Sequence, residues 1–350
     1  MNIKYPLTFK AAILERNNEP LVIDNVTFNG PLQPGQVLVK IHYSGICGKQ
    51  IEEIKGTNPD PFLPHMLGHE GSGEVVDIGL GIKKVSIGDY VVLHWLKGSG
   101  IDAPTPEYLR NGKKINAGQI TTFNEYCIIS ENRVMKIPKE LPSAIAALFG
   151  CAVPTGVGIV KNELKAKKGD SLAIFGIGGI GACILLSAVA AGVSPIIAVD
   201  INHSKLMFAK ENGAIYVLNS AEEDIVAKIK EITQNKGLDY SVDCTGKSAI
   251  MEAAFDVINY NGTVIIAGNP AYGEKISIAP SDLIKGKKIF GSWGGKTNPD
   301  RDIPHYAKRY LDGELKFDKL ISKIYPFDKI NEAIKDLEKG KIICRALVKF

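Results

Sequence analysis

The sequence has 350 residues, of which 45% are hydrophobic and 23% charged, and its formal net charge is +4. This length indicates two domains, because single hydrophobic cores stop growing beyond about 250–300 residues. The basic residues form no cluster interleaved with aromatic side chains, and the most apolar stretch, residues 172–199, is broken by glycines and by Pro195. We therefore predict a soluble, cytoplasmic protein with no nucleic acid or membrane partner, whose six cysteines remain thiols in a reducing compartment.

Short β-like runs separated by glycine and proline turns fill the first 150 residues, for example at 37–42, 73–78 and 90–94. This pattern predicts a compact β-rich domain. From residue 171 onward apolar strands alternate with helical segments, which predicts a parallel sheet with crossover helices. The predicted strands are 171–175, 196–200, 240–243 and 263–267, and the predicted helices are 178–191, 204–212 and 222–233. The tail from Ile289 adds helices near 305–312 and 330–339 and a last strand at 346–350.

We predict an α/β protein whose nucleotide-binding domain is inserted into a split catalytic domain. Residues 1–152 form the first part of the catalytic domain, 153–288 the nucleotide-binding domain with a doubly wound parallel sheet, and 289–350 the second part of the catalytic domain. The first and last segments must then pack together.

The string GIGGIG at 176–181 follows an apolar strand and begins an apolar helix, which is the context that a dinucleotide-binding motif requires. Gly176 fits the tight turn, Gly178 permits close approach of the backbone to a pyrophosphate, and Gly181 permits close packing of helix on strand. The helix N-terminus offers its free N–H groups to the phosphates. The cofactor contacts expected here are Gly176, Gly178, Gly179, Ile180 and Gly181.

Asp200 ends the strand that follows this helix, as the dinucleotide-binding motif requires. Its carboxylate is expected to accept hydrogen bonds from both ribose hydroxyls and to repel a 2′-phosphate, which favours NAD over NADP. Lys205, on the next helix, is expected to reach the ribose.

Three stretches of the β-rich part contain residues suited to a metal site: Cys47, His69 and Cys151. Two thiolates and an imidazole form a soft ligand set that favours zinc, and a catalytic zinc keeps one position open for water or substrate. Glu70, beside His69, offers a further oxygen.

Several motifs together resemble the zinc-containing alcohol dehydrogenases of the medium-chain dehydrogenase/reductase superfamily, over nearly the whole chain. They are GICG at 45–48, GHEGSGEV at 68–75, GDYV at 88–91, FGCAVPTG at 149–156, GIGGIG at 176–181 and INEAI at 330–334. The strings TFNEY at 122–126 and GSWGG at 291–295 are similar to those of the glutathione-dependent formaldehyde dehydrogenase branch.

The resemblance implies a GroES-like β-rich catalytic domain and a Rossmann domain. It implies Cys47, His69 and Cys151 as zinc ligands, with Glu70 as an intermittent one. It also implies Thr155 near the nicotinamide and Arg345 on the pyrophosphate. A homodimer or homotetramer is expected, paired through an edge strand of the nucleotide domain near residues 263–280.

Three positions after the first cysteine depart from the family. Members usually have Ser or Thr, then Asp, and often a later His, where this chain has Lys49, Gln50 and Glu52. Three roles are open to Lys49: it transfers the substrate proton, it binds an anionic group of the substrate, or its side chain points outward. The amide oxygen of Gln50 is expected to accept from the imidazole N–H of His69. A proton route from Lys49 to Glu52 is a hypothesis.

The family's structural zinc lobe has four closely spaced cysteines, but residues 95–119 contain none. We therefore predict one catalytic zinc per chain. The predicted function is hydride transfer between a primary or secondary alcohol (polyol, sugar or related) and NAD. The alternatives are a zinc-free reductase of activated double bonds and a non-catalytic nucleotide-binding protein.

Overall fold

The protein is described by a computed structural model that covers residues 3–57 and 62–350. These residues form two compact units. The first contains the described residues up to Pro154 together with Asn298–Gly313 and Ile321–Phe350. The second contains Thr155–Thr297 and Glu314–Leu320. No helix in the described part of the chain is long and apolar enough to cross a membrane.

Eighteen strands and ten α-helices occur within the described ranges. The strands are β1 (Leu7–Leu14), β2 (Val22–Phe28), β3 (Gln36–Ile46), β4 (His65–Met66), β5 (Glu70–Ile78), β6 (Tyr90–His94), β7 (Tyr108–Arg110), β8 (Lys113–Ala117), β9 (Tyr126–Ser130), β10 (Val134–Lys136), β11 (Leu172–Phe175), β12 (Ile196–Asp200), β13 (Tyr216–Asn219), β14 (Leu238–Asp243), β15 (Ile258–Ile266), β16 (Lys288–Gly291), β17 (Ile321–Pro326) and β18 (Arg345–Lys349). The helices are α1 (Gly48–Lys55), α2 (Ser143–Leu148), α3 (Ala152–Gly158), α4 (Gly179–Ala190), α5 (His203–Glu211), α6 (Ile225–Ile232), α7 (Ser248–Asp256), α8 (Pro280–Ile284), α9 (Pro299–Leu311) and α10 (Ile330–Glu338).

The first unit consists of a closed barrel, in the order β1-β2-β7-β8-β4, and a seven-stranded sheet in the order β10-β6-β5-β3-β18-β17, with β9 also paired to β3. The long strand β3 is central to this sheet because it pairs with β5, β9 and β18. Its side chains at 37–39 and 41 are fully or almost fully buried. The C-terminal strand β18 pairs antiparallel with β3, so that Ala346 lies opposite Ile46. This pairing joins the last strand of the chain to the N-terminal part of the first unit and brings Arg345 close to Cys47.

The second unit is a six-stranded parallel sheet in the order β13-β12-β11-β14-β15-β16. Its central strands β11 and β12 are buried, largely apolar runs, as expected for a sheet that is covered on both faces. The strand order reverses between β11 and β14, which makes their carboxyl ends the topological switch point where doubly wound sheets bind ligands. The predicted α/β fold with a doubly wound sheet is confirmed.

The edge of this sheet differs from the sequence-based expectation. Strand β15 lies between β14 and β16, so the expectation of an edge strand near 263–280 is wrong. The edge is β16, and Ile289, which began the predicted tail, lies within it. Strand β16 has only four residues, so its hydrophobic pattern does not indicate from the sequence that it is the outermost strand.

Candidate metal centre and cofactor site

The three predicted metal ligands come from distant parts of the first unit and meet at one point. Cys47 lies between β3 and α1, His69 immediately precedes β5, and Cys151 immediately precedes α3. Their ligand atoms all lie within 4.8 Å of one another, and both cysteines are buried. Two sulfurs and one imidazole at this spacing form the donor set of a zinc site with an open fourth position.

The two thiols influence each other's ionisation in opposite directions. A hydrogen bond from Cys151 holds the pKa of Cys47 well below its usual range, and Arg345 adds to this effect. The same contact with Cys47 raises the pKa of Cys151 well above its usual range. Two adjacent thiolates therefore need a further cation, and the residues fit a bound zinc ion for that reason.

Glu70 lies fully buried beside this cluster. Its Oε1 is 3.4 Å from Nε of Arg345, and burial raises the pKa of its carboxyl group. A Cβ atom on Gly45 would lie 2.5 Å from this Oε1, so the glycine leaves room for the carboxylate. Arg345 also donates from Nη1 to the carbonyl oxygen of Ile46 at 3.2 Å. The structure thus places Arg345 against the metal cluster within the first unit.

Gln50 links two of the ligand residues, but not by the expected contact. Its Oε1 accepts from the backbone N–H of Cys47 at 3.0 Å, and its Nε2 lies 2.5 Å from Nδ1 of His69. The amide oxygen is therefore engaged by Cys47, whereas we had expected it to accept from the imidazole. One amide oxygen cannot serve both donors in the way that the two oxygens of an aspartate can.

Lys49 and Glu52 face each other on α1. Nζ of Lys49 is 3.6 Å from Oε2 of Glu52, and the two side chains are 37% and 28% exposed. Burial raises the pKa of Glu52, while Lys49 opposes the increase. Both residues line a cavity of about 660 Å³ that also reaches His69, Glu53 and His65.

In the second unit, the GIGGIG segment adopts the geometry expected of a dinucleotide-binding turn. Gly176 has a φ of +92°, which disfavours any residue with a Cβ atom. A Cβ atom on Gly181 would lie 2.0 Å from the carbonyl oxygen of Gly176. A Cβ atom on Gly178 would meet nothing within 4 Å and would project into open space at the start of α4, which leaves that space for a phosphate.

Asp200 ends β12 and touches this turn. Its Oδ2 accepts from the backbone N–H of Ile177 at 2.7 Å, and its Oδ1 accepts from that of Asn202 at 3.0 Å. Lys205 is half-buried in the first turn of α5. Thr155 is buried within α3. Gly179 and Ile180 form the first turn of α4.

Asp243 is a residue that the sequence reasoning missed. It ends β14 at the switch point and is fully buried. An acidic residue that ends an apolar strand three residues before a glycine, as in Asp243-Cys-Thr-Gly246, is the signal that could have identified it.

Comparison with known proteins identifies the family. Residues 33–139 match the alcohol dehydrogenase GroES-like domain, and residues 179–311 match the zinc-binding dehydrogenase domain. The chain is similar to S-(hydroxymethyl)glutathione dehydrogenase of Saccharomyces cerevisiae, with 31% identity over 96% of this chain and 95% of the relative. It is also similar to the crystal structure of benzyl alcohol dehydrogenase from Acinetobacter calcoaceticus, with a TM-score of 0.90 and 31% identity over 98% of this chain and 99% of the other.

This chain belongs to the zinc-containing alcohol dehydrogenase family. It is a zinc-dependent oxidoreductase that acts on CH–OH donors with NAD as the acceptor. The predicted function class, enzyme class and cofactors are thereby confirmed. The Cys-His-Cys cluster and the two domain matches both support the assignment to zinc-dependent alcohol dehydrogenases.

Proposed function

We propose that this dehydrogenase oxidises a neutral polyol or sugar-like alcohol. The observation that supports the proposal is the pairing of charges in the cavity beside His69, whose lining includes Lys49, Glu52, Glu107 and Lys114. Both of its lysines have acidic partners, since Lys49 faces Glu52 and Lys114 pairs with Glu107. A substrate with a phosphate or carboxylate would have to displace one of these partners, whereas hydroxyl groups can donate to the acids and accept from the lysines.

We propose that zinc is held by Cys47, His69 and Cys151, with Glu70 able to approach it intermittently. Zinc, when bound, supplies Lewis-acid polarisation of the substrate oxygen, and NAD supplies the acceptor for the hydride. Gln50 fixes the position of Cys47, because its Oε1 accepts from the backbone N–H of that ligand at 3.0 Å.

We also propose that Lys49 and Glu52 carry the substrate proton away from the site. Nζ of Lys49 lies within 3.6 Å of Oε2 of Glu52. Lys49 can therefore pass a proton to Glu52 while it takes one from the alcohol hydroxyl, so that its own charge does not change.

For the cofactor, we propose that the turn from Gly176 to Gly181, with Gly178, Gly179 and Ile180 between them, binds the pyrophosphate. Asp200 and Lys205 hold the ribose, and Thr155 lies near the nicotinamide. The φ of Gly176 and the space around Gly178 support the first assignment. Both oxygens of Asp200 already accept from the loop around it, so its carboxylate is oriented before the ribose binds.

We further propose that the enzyme is a homodimer or homotetramer paired through β16. Among the described strands, β16 pairs only with β15, and it exposes Phe290. Tyr260 in β15 and Ile284 in α8 are also exposed. A cytoplasmic location is supported by the six cysteines, none of which forms a disulfide bond. Cell fractionation that recovers the enzyme outside the cytoplasm would contradict that location.

A screen of NAD reduction tests the proposed reaction. Zinc-loaded enzyme is offered neutral polyols and sugars, the phosphorylated and carboxylated analogue of each, and amino alcohols. We expect NADH formation at 340 nm with the highest kcat/KM for the neutral compounds. Preference for the charged analogues would overturn the substrate class. Absence of NADH formation with every alcohol would overturn the reaction.

A further inference from the structure

Asp243 lies where three loops of the second unit meet. It is the last residue of β14, and the pairing register sets it beside Phe175 of β11 and Ile266 of β15. Phe175 immediately precedes the GIGGIG turn. The carboxyl ends of these three strands border the switch-point crevice, which is where doubly wound sheets bind dinucleotides.

The carboxylate of Asp243 holds the loop that follows its own strand. Its Oδ1 accepts from the backbone N–H and the hydroxyl of Thr245 at 3.0 and 2.6 Å. Its Oδ2 accepts from the backbone N–H of Gly246 at 3.2 Å. Burial raises the pKa of this carboxyl group, while the hydrogen bonds from Thr245 and Gly246 oppose the increase. Loss of the carboxylate would leave several buried donors without an acceptor.

The loop after β15 is fastened to the same residue. The carbonyl oxygen of Asp243 accepts from the backbone N–H groups of Ala267 and Gly268 at 2.8 and 3.0 Å. A Cβ atom on Gly268 would lie 2.1 Å from the nitrogen of Gly246 and 2.7 Å from Oδ2 of Asp243. The two loops therefore touch backbone to backbone, which only a glycine at position 268 permits.

The loop after β14 in turn forms a wall beside the dinucleotide-binding turn. A Cβ atom on Gly176 would lie 2.9 Å from Cγ2 of Thr245, and the backbone N–H of Cys244 donates to the carbonyl oxygen of Phe175 at 2.8 Å. A shift of Thr245 would therefore be transmitted to Gly176.

We propose that Asp243 is a positioning residue for NAD. By holding Thr245 and Gly246 it fixes the three loops around the crevice in the arrangement that the cofactor requires, without contacting the reacting atoms. This inference rests on the proposed cofactor site at Gly176–Gly181.

The test compares Asp243→Asn with Asp239→Asn. Asp239 lies at the opposite end of the same strand and likewise accepts three hydrogen bonds, from the backbone N–H and hydroxyl of Ser171 at 2.9 and 2.7 Å and from Asn259 Nδ2 at 3.1 Å. Both substitutions replace an accepting oxygen by an NH₂ donor. Only Asp243 lies at the carboxyl end of the strand, where the cofactor site is proposed, so Asp239→Asn controls for loss of stability.

We expect Asp243→Asn to raise the Kd for NADH, measured by fluorescence titration, by about tenfold or more, whereas Asp239→Asn leaves it within about twofold of the wild type. The KM for NAD should rise in parallel in Asp243→Asn, with kcat at saturating NAD nearly unchanged, and the two variants should lower the unfolding temperature by similar amounts. Thr245→Val should reproduce part of the loss, and Thr245→Ser, which keeps the hydroxyl, should restore binding.

Equal NADH affinity in Asp243→Asn and the wild type would overturn the proposal, as would an equal loss of affinity in Asp239→Asn. If Asp243→Asn does not fold, Thr245→Val and Thr245→Ser decide the question by the same titration. Failure of the wild-type enzyme to bind NADH would instead overturn the proposed cofactor site, so the two outcomes are distinguishable.

Discussion

At the scale of single residues, the departures near Cys47 have clear structural consequences. Gln50 keeps the contacts to Cys47 and His69 but has only one oxygen for them. Lys49 faces Glu52 within the cavity at 3.6 Å, and the two side chains are 37% and 28% exposed. This ion pair is the contact on which the proposed proton route depends.

Glu52→Gln tests this proton route by the pH dependence of kcat/KM. Glu52 accepts a proton only when ionised, so kcat/KM in the wild type should fall as the pH drops through its raised pKa. The variant should lose this acidic limb and about tenfold or more of its activity, since positioned proton transfer contributes roughly 10²–10⁴-fold. Lys49, Glu53, His65 and His69 line the same cavity and also influence the profile.

Glu53→Gln is the matched control for that measurement, because it removes the same charge from the same helix and cavity. It should retain the acidic limb. An unchanged profile in Glu52→Gln, or an equal change in both variants, would contradict the route.

At the scale of elements, the lobe around residues 95–119 is held without metal-binding cysteines. Glu131, almost fully buried, accepts from the backbone N–H groups of Lys83, Lys84 and Ile101 at 2.6, 2.9 and 2.8 Å. Asp300 adds a 2.7 Å ion pair with Lys84. Although burial acts to raise the pKa of Glu131, the three backbone donors hold it below the ordinary value of 4.5. This stabilisation is present above that value and is lost as the pH falls.

Glu131→Gln should therefore destabilise the lobe by roughly 2–4 kcal/mol, because one oxygen that accepts charge-assisted hydrogen bonds becomes a donor. Urea denaturation measures the free energy of unfolding, and limited proteolysis measures opening of the lobe.

Chelation of zinc should leave the rate of proteolysis within 95–119 unchanged, and metal analysis should find about one zinc per chain. Two tightly held zinc ions per chain, or a lobe that opens on chelation, would contradict this account.

At the scale of the whole molecule, the sheet of the second unit has two edges, β13 and β16. Unpaired edge strands are sites for pairing with a second copy, and β16 exposes Phe290 there, 54% accessible.

Phe290→Asp should convert the proposed oligomer to a smaller species, because a charge in the edge opposes both burial and strand pairing. The mass in solution is measured by light scattering. Tyr216→Asp, on the opposite edge β13, is the control and should leave the mass unchanged. A monomeric wild type, or equal dissociation by both substitutions, would exclude pairing through β16.

Local patterns in the sequence determined the elements and the chemistry. Apolar periodicity located strands such as Tyr90–His94 and Ile196–Asp200, and motif spacing identified GIGGIG and the set Cys47, His69 and Cys151. These features depend on neighbouring residues and on ligand chemistry, which the sequence carries directly.

Only the tertiary structure decided how distant segments meet. The pairing of β18 with β3, the contact of Arg345 with Glu70, the position of β16 at the sheet edge and the three loops gathered by Asp243 all join residues far apart in the chain. Such contacts depend on sheet order and register, which no local pattern specifies. The sequence therefore determined the zinc and NAD chemistry, and the fold determined which additional side chains surround it.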